Sequence, residues 1–86
     1  MPVISRFFGI DILMYYDDHN PPHFHATYGD YKALIDINKA RVLEGNLPSA
    51  QMKLVLAWAI IHKEELLEDW KLAQMMETLT KIEPLR

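Results

Sequence analysis

The sequence predicts an α+β domain: a small antiparallel sheet of four to five strands over residues 2–45, then one long helix over 49–76 packed on one face. Three observations predict it. Apolar residues recur at every second position through the first half. From Ser49 to Glu77 there is no glycine and no proline, and apolar residues return every three or four positions. Pro48 stands at the junction, where the first turn of a helix has no use for its missing N–H.

The strands follow in order. Ile4 to Phe8 is short and aromatic, and Gly9 suits a tight turn or bulge. In the run from Ile10 to Tyr16, residues Ile10, Ile12, Met14 and Tyr16 share a face. Asp17 to Pro22 is a loop, with two prolines among small polar residues. His23 to Tyr28 alternates again, placing Phe24, Ala26 and Tyr28 on one side and His23, His25 and Thr27 on the other. Gly29-Asp30 reads as a two-residue hairpin turn. Tyr31 to Ile37 returns, and Arg41 to Glu44 is a short last strand ending at Gly45-Asn46.

The helix would be roughly 40 Å long at 1.5 Å per residue. A seven-residue strand is only about 23 Å long. The helix therefore either overhangs its own sheet or breaks and folds back, with Ile61-His62 the place for a bend. The tail, Thr78 to Arg86, is an ordered or a fraying extension.

Two faces of the helix draw notice. From His62 onward Leu66, Leu67, Trp70 and Ala73 point one way, while Glu64, Glu65, Glu68 and Lys71 point the other. The acidic run Glu64, Glu65, Glu68, Asp69 reads as a solvated face. From Met52 to Ile61 the helix is apolar almost all round. Leu54, Trp58 and Ile61 form a second stripe, which Leu72 continues. Either the protein's own loops and first strand cover that stripe, or it is an interface with a partner or a second copy. Tryptophan is enriched at interface hot spots, and a small domain gains stability by association.

Composition narrows the class. The 86 residues suit a single domain spanning 1–86. The absence of cysteine excludes disulfides and thiolate metal sites and fits a reducing compartment. No run approaches the roughly 18 apolar residues of a membrane span, and the first residues lack the features of a signal peptide. The expectation is a cytoplasmic protein. Nine basic residues stand against 12 acidic ones and never form a run, so direct nucleic-acid binding is not favoured.

The distinctive chemistry lies in Asp17-Asp18-His19-Asn20-Pro21-Pro22-His23-Phe24-His25, which holds three of the four histidines. On a strand, His23 and His25 leave the same face. In the leading reading the imidazoles hydrogen-bond the loop and shape its turn, with no metal and no cofactor. In the second, His19, His23 and His25 bind a borderline metal such as zinc, with Asp17 or Asp18 as fourth ligand or orienter. A closed shell would then require the loop to fold back across two prolines. In the third, two of these histidines are catalytic, as general acid and base on a phosphodiester, with Arg6 or Lys32 as the cation. Other chemistry is missing from the sequence: it has no glycine-rich phosphate loop and no nucleophile elbow at Ser5 or Ser49. His62 reads as a boundary residue.

The segments Pro2 to Phe7, Asp18 to Ala26, Leu43 to Pro48 and Leu66 to Trp70 resemble a bacterial family called Domain of Unknown Function 4160. The octapeptide His19-Asn20-Pro21-Pro22-His23-Phe24-His25-Ala26 carries the resemblance most specifically. It implies no activity and no site residues. It does imply a context, since such genes often stand beside another small gene of unknown function, in pairs that look like toxin–antitoxin or mobile-element modules. The expected function is therefore non-enzymatic binding of a protein encoded by a neighbouring gene, with homo-oligomerisation. The alternative is a small ribonuclease-type toxin or metal-dependent enzyme using His19, His23 and His25.

Overall fold

Alternation in the first half becomes a five-stranded sheet. In the computed structural model, which describes residues 2–86, the strands are β1 (Val3–Phe7), β2 (Ile10–Leu13), β3 (His23–Tyr28), β4 (Tyr31–Asp36) and β5 (Arg41–Asn46). All pair antiparallel in sequence order. Ile12 pairs with Ala26, Ala26 with Ala33 and Phe24 with Ile35. These residues face the helices and are fully buried. The neighbouring pairs, Leu13 with His25, His25 with Leu34 and Thr27 with Lys32, face the other way. A one-residue slip would exchange the two sets, so burial of the first set fixes the register.

Four strands depart from the expected bounds, β1 by starting and ending one residue earlier and β4 by ending at Asp36. β2 stops at Leu13, and Tyr16 is exposed as the chain leaves the sheet. β5 continues through Gly45 to Asn46. Gly45 has φ +78°, and a Cβ there would lie 2.2 Å from the Lys32 carbonyl oxygen. Only glycine lets β4 and β5 approach this closely.

The single long helix is replaced by two, α1 (Ser49–Ile61) and α2 (Lys63–Gln74). They meet at His62, whose φ of −106° and ψ of 24° leave the helical region. The physical reason is length. The molecule measures 33 × 25 × 22 Å, so an unbroken helix of roughly 40 Å would project beyond it. With the break, Val55, Trp58 and Ala59 of α1 share one core with Leu66, Trp70 and Ala73 of α2.

The second apolar stripe divides. Trp58 is fully buried, its ring 5.3 Å from that of Phe7 and 5.7 Å from that of Phe24. Leu54 packs against the core and Leu72 is half-buried, while Ile61 is exposed. Trp58 is thus a core residue, and of the four expected interface positions Ile61 alone lies open. The acidic run divides too. Glu64, Glu65 and Glu68 are exposed, whereas Asp69 is buried. The reason is its position three after Leu66 and four before Ala73, on the inner face of α2.

The tail is ordered. The Ile82 N–H donates to the Ile4 carbonyl at 2.8 Å and the Lys81 ammonium to the Val3 carbonyl at 2.7 Å. Trp58 Nε1 donates to the Glu83 carbonyl at 2.9 Å, and Ile82 is buried. The tail therefore covers β1, whereas every residue of β5 is exposed. Among the described residues no helix is long and apolar enough to cross a membrane.

Candidate metal centre on the histidine loop

The loop between β2 and β3 is held from both ends. Ala73 at the end of α2 accepts the Asp17 N–H at 3.2 Å, and Gln74 Nε2 donates to the Asp18 carbonyl at 2.9 Å. On the other side, the Ile37 N–H donates to the Pro22 carbonyl at 3.0 Å. These ties fold the loop back, so that Asp18 lies over the start of β3 despite the two intervening prolines.

His23 is buried, with its ring 5.3 Å from Trp70 and 5.4 Å from His25. Its Nδ1 lies 2.8 Å from the Pro21 carbonyl, which can only accept, so Nδ1 carries a proton and donates it. Its Nε2 lies 3.0 Å from Asp18 Oδ2. Both ring nitrogens thus face acceptors, and the second contact requires either a second proton or a cation. His25 Nε2 points at the same carboxylate oxygen from 3.7 Å. It is buried and makes no hydrogen bond. Tyr15 packs edge-on against the His25 ring at 4.3 Å.

Electrostatics keep the carboxylate charged and His25 neutral. Burial pushes the Asp18 carboxyl upward, but the His19 backbone N–H, the His23 charge, the nearby His25 ring and the His23 hydrogen bond outweigh it. Its pKa falls below the ordinary value. Burial, then the His23 charge, lowers the pKa of His25 against the opposing pull of Asp18. A neutral imidazole and a carboxylate are the forms that bind a metal.

The ligand atoms of Asp18, His23 and His25 all lie within 4.8 Å of one another. An ion held at about 2.0–2.2 Å by each would set its ligands roughly 3–4 Å apart. The contacts of 3.0 and 3.7 Å to Asp18 already match. Of the other sequence candidates, His19 is almost fully exposed, with Nδ1 3.3 Å from the opposite oxygen Oδ1 of Asp18. Asp17 is exposed and takes no part in the cluster. His62 is remote in sequence and pairs with Glu65 on α2. Arg6 is engaged by Asp11 at 3.1 Å.

Trp70, which backs His23, and Tyr15, which backs His25, were not singled out from sequence for this site. Their roles depend on α2 and the loop crossing the end of β3, a long-range arrangement with no local signature. The period-two placement of His23 and His25 and the candidacy of Asp18 are legible in the sequence, whereas these backing residues are not.

A family model described as "Domain of unknown function (DUF4160)" matches residues 9–71, which include the whole loop and the cluster. No curated protein and no solved structure matches the chain.

Proposed function

The chain belongs to the Domain of unknown function (DUF4160) family, and we propose that this protein is a metal-binding domain holding one divalent ion of borderline character, zinc first. The ligands are His23 Nε2, His25 Nε2 and a carboxylate oxygen of Asp18. The observation that carries the reading is the convergence of two imidazole nitrogens on one carboxylate oxygen, one of them buried without a hydrogen bond. An ion at that point would replace the proton between His23 and Asp18 and give His25 Nε2 a partner. The Pro21 carbonyl on His23 Nδ1 is the outer contact that fixes a ligating tautomer. Three protein ligands leave a fourth position, either for water, as in zinc sites that do chemistry, or for the exposed His19, which would close the shell as in structural sites.

Calorimetric titration of zinc into tag-free, metal-stripped protein tests this. We expect one equivalent to bind. Asp18→Asn, which preserves the shape of the side chain, should weaken binding by more than about 100-fold, since even outer partners of a ligand are worth 10- to 100-fold. No saturable binding, or equal binding by Asp18→Asn, would refute the assignment.

A second reading concerns partners. Of the two sheet edges, the tail covers β1 and no described residue covers β5, where Val42 and Leu43 are exposed. An open edge is a template for a strand of another protein. We propose on this ground that β5 is the docking edge for a partner protein, the toxin–antitoxin-like pairing being what the family resemblance implies. Co-purification with the product of the neighbouring gene, lost in Val42→Pro, is the expected result.

A further inference from the structure

On the face of the sheet turned away from the helices, β2, β3 and β4 enclose a hollow of about 520 Å³. That volume falls within the range of small-molecule sites, roughly 300–1,000 Å³. Leu13, Tyr15, His25, Thr27, Lys32 and Leu34 line it. Leu13 and Leu34 flank His25 in the strand register and form an apolar floor. Two residues along β3, Thr27 stands opposite Lys32, so a hydroxyl-bearing and an ammonium-bearing residue line the same end. Neither group has a protein partner among the described residues.

The donor count points to the ligand. Backbone N–H groups of β3 lie between two strands and are taken by the ladders, so no nest of amides is on offer of the kind that phosphates use. Of the side chains on the lining, Lys32 alone is positively charged, with Thr27 beside it in the register, and one positive charge matches a singly charged carboxylate. Glu44, opposite Leu34, adds a negative charge on the β5 side and disfavours a dianion.

We propose that this hollow binds a small carboxylate with an aromatic or branched aliphatic body. The carboxylate sits on the Lys32 ammonium and the Thr27 hydroxyl, and the body lies on Leu13, Tyr15 and Leu34. The hollow and the metal cluster share only the His25 ring, whose Nε2 turns to Asp18, so the two proposals stand or fall separately.

Nuclear magnetic resonance titration of metal-free, ¹⁵N-labelled protein decides it, with phenylacetate as the probe. Phenyl phosphate and 2-phenylethanol serve as the dianionic and neutral comparisons. Phenylacetate should shift the amides of Thr27, Lys32 and Leu34 saturably. Lys32→Gln, an exposed substitution whose spectrum also reports its fold, should weaken binding about tenfold. The proposal is overturned if phenylacetate produces no saturable shift at these amides. Equal or tighter binding of either comparison compound overturns it too, as does unchanged affinity in Lys32→Gln. Zinc affinity, measured apart, has no bearing on any of these outcomes.

Discussion

Asp69 combines burial with incomplete satisfaction. Its Oδ1 accepts the Thr80 N–H at 2.9 Å, while Oδ2 is buried without a partner. Burial raises its pKa; the Thr80 N–H opposes this, and the charges of Glu65 and Glu68 add to it. The folded chain therefore holds this proton more tightly than the unfolded one. Stability falls as pH rises from the ordinary carboxylate value to the raised one, and the loss is complete above it. Asp69→Asn removes the charge and keeps an oxygen for Thr80. It should stabilise the protein at neutral pH by about 1 kcal/mol, within the range for a buried unpaired polar group. Urea unfolding at pH 4 and pH 7 checks this: the gain should shrink at the lower pH, and an equal gain at both would exclude the charge as its cause. Asp18 has the opposite sign. Its lowered pKa stabilises the fold above the ordinary carboxylate value, and that contribution disappears as pH falls through the folded value. Sequence distinguished neither case, because both depend on what the chain brings alongside: the tail for one and β3 for the other.

Among the elements, the five strands are legible, while the helix break is legible only as one of two outcomes, a bend placed at Ile61-His62. Alternation identifies a strand locally, and Gly29 with φ +57° marks the hairpin between β3 and β4. The break at His62 has no glycine or proline to announce it. It follows from the mismatch between helix length and sheet size, which sequence raised as one of two outcomes. Trp58 illustrates the same limit. Its spacing with Leu54 and Ile61 is that of a stripe, yet its burial depends on Phe7, Phe24 and the Glu83 carbonyl, all distant in sequence. Trp58→Ala should therefore destabilise the protein by about 3–5 kcal/mol, the usual loss for a large buried aromatic. The midpoint of urea unfolding reads it. A loss below about 1 kcal/mol would mean that Trp58 contributes little to the core.

For the whole molecule, the sheet separates two kinds of surface. One face meets the helices across the apolar core; the other carries the hollow, with the histidine cluster at its side. An ion at Asp18, His23 and His25 would join the β2–β3 loop to β3, and it would bind only the folded chain. At one hundred times its dissociation constant, such a ligand adds about 2.7 kcal/mol. In a domain of this size that corresponds to a rise in Tm of more than about 10 °C. Zinc should raise the melting temperature of the tag-free protein by this much and a chelator should reverse it, while Asp18→Asn should respond to neither. A zinc-induced shift of equal size in Asp18→Asn would place the ion elsewhere.

The tail has a consequence for how the protein is made. Lys81 and Ile82 bond to Val3 and Ile4, and the Glu83 carbonyl receives the Trp58 indole N–H. The first strand thus waits on residues synthesised nearly eighty positions after it. A nascent chain still lacking residues 80–83 has the outer edge of β1 open and Trp58 without its acceptor. Translation cannot hand over a finished N-terminal half, and closure of the core must follow release of this segment from the ribosome. Chains stalled at residue 78 should be cut readily by protease, whereas released chains of the full 86 residues should resist it.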